Sequence, residues 1–166
     1  MGEATARLGL PLLAAGQAQK ELWHNEALAL LDMVACAGVE ELGASAPPAT
    51  PMPGRAWVLG ADPVGAWAGH AQELAGWTDG GWRFVAPFEG LSVWVVAEKL
   101  HATFMGGRWV PGEVRGRRVL VDGVPVVGPQ RPTIAAPAGG ATVDAEARAG
   151  LEQVLAALRA HGLIAP

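Results

Sequence analysis

Indole rings and one polar stretch are the residues of this chain whose types and spacing could do chemistry. Six of the seven tryptophans, Trp57, Trp67, Trp77, Trp82, Trp94 and Trp109, lie within one 53-residue stretch, each close to a glycine-containing turn signal. An indole face stacks on a sugar ring, whose axial C–H groups are drawn to the π cloud. Trp67 and Trp77, beside Gly-rich turns, are the best placed for exposure, and with His70 and Trp82 they form the expected glycan- or partner-binding group. The competing use of tryptophan is as core and turn anchor in a module too small for an aliphatic core, and most of the six are expected to serve that way.

The polar stretch is Gln17, Gln19, Lys20, Glu21, His24, Asn25 and Glu26, in which Glu21 and His24 lie one helical turn apart. A zinc helix needs a second histidine at His-Glu-x-x-His spacing, and none is within reach. The group is therefore expected to be a polar stripe that hydrogen-bonds across subunits or to the backbone of the Trp-rich module, with a solvated face as the competing reading.

Other chemistries find little purchase. The two serines, Ser45 and Ser92, sit in no G-x-S-x-G elbow. His70, His101 and His161 have no ligand spacing, and no glycine-rich phosphate loop follows a strand. Glu73, Asp79, Glu89 and Glu98 are the carboxylates from which a glycosidase pair would have to come, and that needs a facing geometry which spacing alone does not supply. No catalytic residue, metal ligand or cofactor is expected. Cys36 is the single cysteine, so no internal disulfide can form. A net charge of −4 opposes nucleic-acid binding, and the basic cluster of Arg115, Arg117 and Arg118 is short. Glu3, Gly9 and Pro11 break any leader-like pattern, and no apolar run reaches the roughly 18 residues of a membrane span. A soluble protein made in the cytoplasm is expected.

The elements that must position these residues follow from period and punctuation. Residues 12–42 are rich in Ala, Leu, Glu, Gln and Lys and predict a helix, with Gly16 a possible start and Gly38 a weak end. Residues 1–43 thus read as an arm and an oligomerisation helix, and the prolines of 44–54 as a spacer. From 55 to 128 strands are expected, paired around Asp79-Gly80-Gly81, Gly106-Gly107 and Asp122-Gly123 into a twisted antiparallel meander filled by tryptophan. A flexible linker, 129–141, leads to a helix over 142–166, capped by Thr142 or Asp144 and ended by Gly162. Its stripe of Ala147, Leu151, Val154 and Leu158 has coiled-coil spacing over about two heptads, too short to stand alone. The expected fold class is α+β.

Residues 10–31, LPLLAAGQAQKELWHNEALALL, resemble the opening of a family of alphaproteobacterial prophage and gene-transfer-agent fibre or spike proteins. The segments Gly65–His70, Trp77–Phe84 and Pro87–Gly90 match that family's Trp-rich module, and the C-terminal helix resembles many members' endings. The resemblance implies a virion structural protein, the base or adaptor of a head spike or tail fibre used in host attachment. It implies self-association as a trimer, or a pentamer at a capsid vertex, and contact with other virion proteins and host surface polysaccharide. Interface residues would be Gln17, Gln19, Glu21, His24 and Asn25 on the first helix and Leu151, Val154 and Leu158 on the last. The alternative is a carbohydrate-binding module touching host capsular polysaccharide; a small glycan-degrading enzyme is a third reading. Release from the producing cell by lysis is expected.

Overall fold

Helical propensity carries the chain into a helix only as far as Val34. In the computed structural model, which describes residues 4–16, 20–142 and 144–166, the first helix, α1, spans Lys20–Val34. It is shorter than the expected 12–42 at both ends. Arg7 provides the stop: its Nη1 donates to the carbonyls of Asp32 (2.7 Å) and Met33 (3.1 Å) and its Nη2 to that of Cys36 (2.7 Å). The first two are carbonyls of the last turn, which a helix end leaves without intrahelical partners. Cys36 then takes a left-handed φ of 50°. Beyond it, residues expected to remain helical run as two short strands, β1 (Gly38–Val39) and β2 (Leu42–Ala44).

The Trp-rich region is not one meander but two sheets built to the same plan. Strands β3 (Ala56–Leu59), β4 (Leu74–Thr78) and β5 (Gly81–Val85) form an antiparallel meander, and β2 joins β3 in parallel. Strands β6 (Ser92–Val95), β7 (Leu100–Met105) and β8 (Arg108–Pro111) form another, and β1 joins β6 in parallel. The last hairpin of each meander closes through Asp79-Gly80 or Gly106-Gly107, where Thr78 pairs with Gly81 and Met105 with Arg108. Thr78 Oγ1 fastens the first turn, accepting from the Gly80 N–H and donating to the Gly81 carbonyl.

One core lies between the sheets. Val39, Val93, Val95 and Ala102 from one and Ala56, Val58 and Leu74 from the other pack together with Met33 and Ala37, at and just beyond the end of α1. Gly76 lets Met33 approach: a Cβ there would run into the methionine sulfur. Each strand alternates faces, so the residues between these core positions point outward.

The chain divides into two compact units, Met1–Glu113 and Val114–Pro166. The hairpin of β9 (Val119–Val121) and β10 (Val124–Val127), expected within the Trp-rich module, belongs to the second. So does α2 (Ala145–Ala160), capped as expected by Asp144, whose Oδ1 accepts from the Ala147 N–H at 2.8 Å. The segment expected to be a loose linker is tied down at several points. Arg131 and Leu163–Ala165 exchange backbone hydrogen bonds, and Arg159 and Arg148 donate to the carbonyls of Ile134 and Gly139. Helices at both ends and antiparallel-rich sheets between them make the fold α+β, as the sequence implied.

Candidate functional site

Four indoles meet on the outer face of the second sheet, the one formed by β2 to β5. Trp57, Trp77 and Trp82 project from its strands, with Trp77 directly across from Trp82. Trp67 reaches them from a single 3-10 turn, Gly65–Trp67, in the β3–β4 loop. Its ring lies 5.9 Å from Trp57 and 5.1 Å from Trp82, and with Ala44, Leu59 and Ala75 it makes a second core. The loop is held by backbone bonds on both sides: Val64 N–H to Ser45 (2.8 Å) and Gln72 N–H to Gly60 (3.0 Å). Trp67 is 0% exposed, so the expectation that it sits at the surface is corrected. Packing explains the reversal, because covering this face of the sheet requires a large apolar side chain and the loop supplies one. Its Nε1 is buried and finds no hydrogen-bond acceptor among the described residues.

The other members of the expected binding group are half-buried. Trp77 and Trp82 stand edge-to-face at 4.9 Å. His70 stacks flat on Phe84 at 3.6 Å, and its Nδ1 lies 2.8 Å from Glu73 Oε2. The structure does bring the four together around one aromatic cluster, but as a closed plug and not as an open platform. Glu73 is thereby paired with a histidine, and Glu89 accepts from the Gly106 N–H at 3.0 Å. Among the described residues no three His, Cys, Asp or Glu side chains are grouped to hold a metal ion, and no helix is long and apolar enough to cross a membrane.

The polar stripe of α1 has a use inside its own chain. Asn25 is buried and makes two bonds with Leu13, its Oδ1 accepting from the N–H at 2.9 Å and its Nδ2 donating to the carbonyl at 3.0 Å. Glu21 Oε1 accepts from the Gly16 N–H at 3.2 Å. Asp32, two turns beyond Asn25, is buried as well and accepts from Thr5 Oγ1 (2.8 Å) and from the N–H groups of Arg7 (3.1 Å) and Leu8 (2.6 Å). Within the chain Glu21 and Asn25 thus clamp the N-terminal arm, whose backbone groups would otherwise lack partners. His24 is exposed, and Gln17 and Gln19 lie outside the described residues. Glu26 pairs with Arg83 of β5, 2.7 Å from its Nε, and joins α1 to the second sheet.

On α2, Leu151 and Val154 are exposed, Leu158 is half-buried, and the fully buried residue is Leu155, one place off the expected stripe. Two exposed tryptophans escaped the expected binding group: Trp23 on α1, 82% exposed, and Trp94 on β6, 40% exposed. Trp94 stands edge-to-face with His101 across the strand pair, ring centroids 5.0 Å apart.

A protein-family model described as a protein of unknown function, DUF2793, matches residues 24–110, more than half of the 166 residues. The match runs from the second turn of α1 to β8, so it takes in both sheets and both cores. No curated protein matches the chain. By the extent of the family match, this chain is a member of the DUF2793 family of proteins of unknown function.

Proposed function

We propose that the protein is a non-enzymatic building block of a phage-like particle, a gene transfer agent or tailed phage, and that it self-associates at the base of a head spike or tail fibre. One observation carries the self-association. All seven residues of the β9–β10 hairpin strands are exposed, and six of them are Val or Leu, so both faces of a two-stranded ribbon are apolar. A lone hairpin of this kind is marginal in water. Leu151 and Val154 add an exposed apolar strip on α2, and within this unit only Leu155 and Ile164 are buried among the described residues. Elements with that pattern gain stability by burying the same surface against sister copies. The particle role draws its support from the resemblance of residues 10–31 and of the Trp-rich segments to fibre and spike proteins.

Native mass spectrometry and sedimentation equilibrium of the full chain test the reading. A trimer or pentamer is expected at micromolar concentration, dissociated by Leu120→Glu or Val126→Glu with the sheets of the first unit still folded. A monomer at about 100 µM, or an oligomer indifferent to both substitutions, would contradict it. Immunogold labelling of particles from the producing strain tests the location, with labelling at spikes or fibres expected.

A further inference from the structure

Strands β3 and β6 are counterparts, and what covers them differs. Each opens its meander, pairs in parallel with a short edge strand, and holds an indole on the outer face: Trp57 in Ala-Trp-Val-Leu and Trp94 in Val-Trp-Val-Val. On β3 the neighbouring Leu59 is buried and Trp67 closes over the indole. On β6 the matching residue, Val96, is 45% exposed, and so is much of Trp94.

We infer that the outer face of the first sheet, centred on Trp94, binds a hexopyranose ring of an oligosaccharide, the sugar taking the position that Trp67 fills on the second sheet. This deepens the glycan-contacting reading and does not depend on assembly into a particle. Three features select the ligand. The sister sheet shows that the space beside the first-strand indole takes a ring-sized group, the tilted indole of Trp67. The groups around Trp94 are then those that meet sugar hydroxyls. His101 replaces the Ala75 of the covered sheet as the indole's cross-strand partner. Ser92 and Thr103, their hydroxyls 3.3 Å apart, lie on the same face. Hydroxyls donate and accept, and an imidazole adds ring nitrogens, as vicinal diols require. The four include no Asp, Glu, Lys or Arg, which fits a neutral sugar. The indole and the polar groups also sit close together, Ser92 and Trp94 on β6 and Thr103 and His101 on β7, a rectangle of about 5 by 7 Å at the backbone, the scale of one sugar ring. Gly38, beside Trp94 on β1, leaves the approach open, since a Cβ there would meet nothing within 4 Å.

The test is a nitrogen-15 NMR titration of the full chain with maltohexaose, cellohexaose and chitohexaose, following indole N–H and backbone amide signals. At least one sugar is expected to shift the Trp94 indole and the amides of residues 92–103 in a saturable way. Trp94→Ala should weaken that binding at least tenfold, and Gly38→Leu, which crowds the face without removing the indole, should do the same. Phe88→Ala, an exposed aromatic elsewhere, should not change it. Saturable shifts confined to Trp77 and Trp82 would overturn the site while keeping the glycan reading. No shift with any sugar at 10 mM would overturn both. Loss of Trp94 signal on raising protein concentration alone would show that a second copy covers the face, and that too would overturn the proposal.

Discussion

The two sheets of the first unit share a plan, yet the outer face of one is covered by a plug and that of the other carries an exposed indole. The second sheet has the inter-sheet core and α1 on its inner side and the Trp67 plug on its outer side. The first sheet has the same core inside and Trp94, His101, Ser92 and Thr103 outside. A single residue of strand length accounts for much of the difference. From the cross-strand partner of the first-strand indole to the last pair before the turn is Ala75 to Thr78 in one sheet and His101 to Met105 in the other. One added residue moves every later side chain to the opposite face. The aromatic pair beside the turn therefore points outward as Trp77–Trp82 and inward as Phe104–Trp109. Turned inward, Trp109 packs on the inter-sheet core and donates its Nε1–H to the Gln72 carbonyl at 2.9 Å, bridging the sheets. Turned outward, the other pair needs a cover, and Trp67 provides it.

The largest effect should come from removing that cover. Trp67→Ala is expected to destabilise the first unit by about 3–5 kcal/mol, read by urea denaturation. Trp67→Phe should cost much less, under about 2 kcal/mol, because losing the unpaired buried N–H offsets part of the lost packing. A Phe variant as unstable as the Ala variant would break the account of the plug.

Next come the contacts that α1 makes with the arm and with the same sheet. Asp32→Ala leaves one hydroxyl and two N–H groups of the arm without their acceptor and is expected to cost about 2–3 kcal/mol. Limited proteolysis should then cut within residues 4–16 while amides of β6 and β7 keep their exchange protection. Gly76→Ala is expected to cost about 1–3 kcal/mol through collision with Met33. A double-mutant cycle with Met33→Ala should recover part of that loss, showing coupling between the two positions. Additive losses would mean that the helix does not rest on Gly76.

The smallest effect belongs to the open face. Trp94→Ala should change stability by less than about 1 kcal/mol, as for a partly exposed residue outside either core, in contrast to Trp67, which covers its counterpart Trp57.

What could be read from the sequence followed from local signals. Asp79-Gly80, Gly106-Gly107 and Asp122-Gly123 marked three of the hairpins, and Asp144 the start of α2, because turns and caps are determined by residues a few places apart. The ends of α1 could not be read this way. Leu42, Glu40 and Ala37 favour helix, and it is Arg7, some thirty residues earlier, that takes the last carbonyls. The parallel edge strands β1 and β2 are equally long-range, pairing with Trp94-Val95 and Val58-Leu59. The exposure of the indoles escapes local signals for a related reason. Trp67 sits in a Gly- and Pro-rich stretch that looks exposed but folds back as core. Trp94 sits in the apolar run Leu91–Val96, which suggests burial on both faces and yet has one face open.

The contrast between the two indole-bearing faces is tested most directly by fluorine NMR of the full chain labelled with 5-fluorotryptophan, each resonance assigned by single substitution. The readout is the shift between H2O and D2O, measured in the Leu120→Glu chain so that self-association covers neither face. Trp67 is expected to show no isotope shift and Trp94 an intermediate one, with Trp23 the largest, in the order of their exposures of 0%, 40% and 82%. A Trp94 resonance as insensitive to solvent as that of Trp67 would contradict the account.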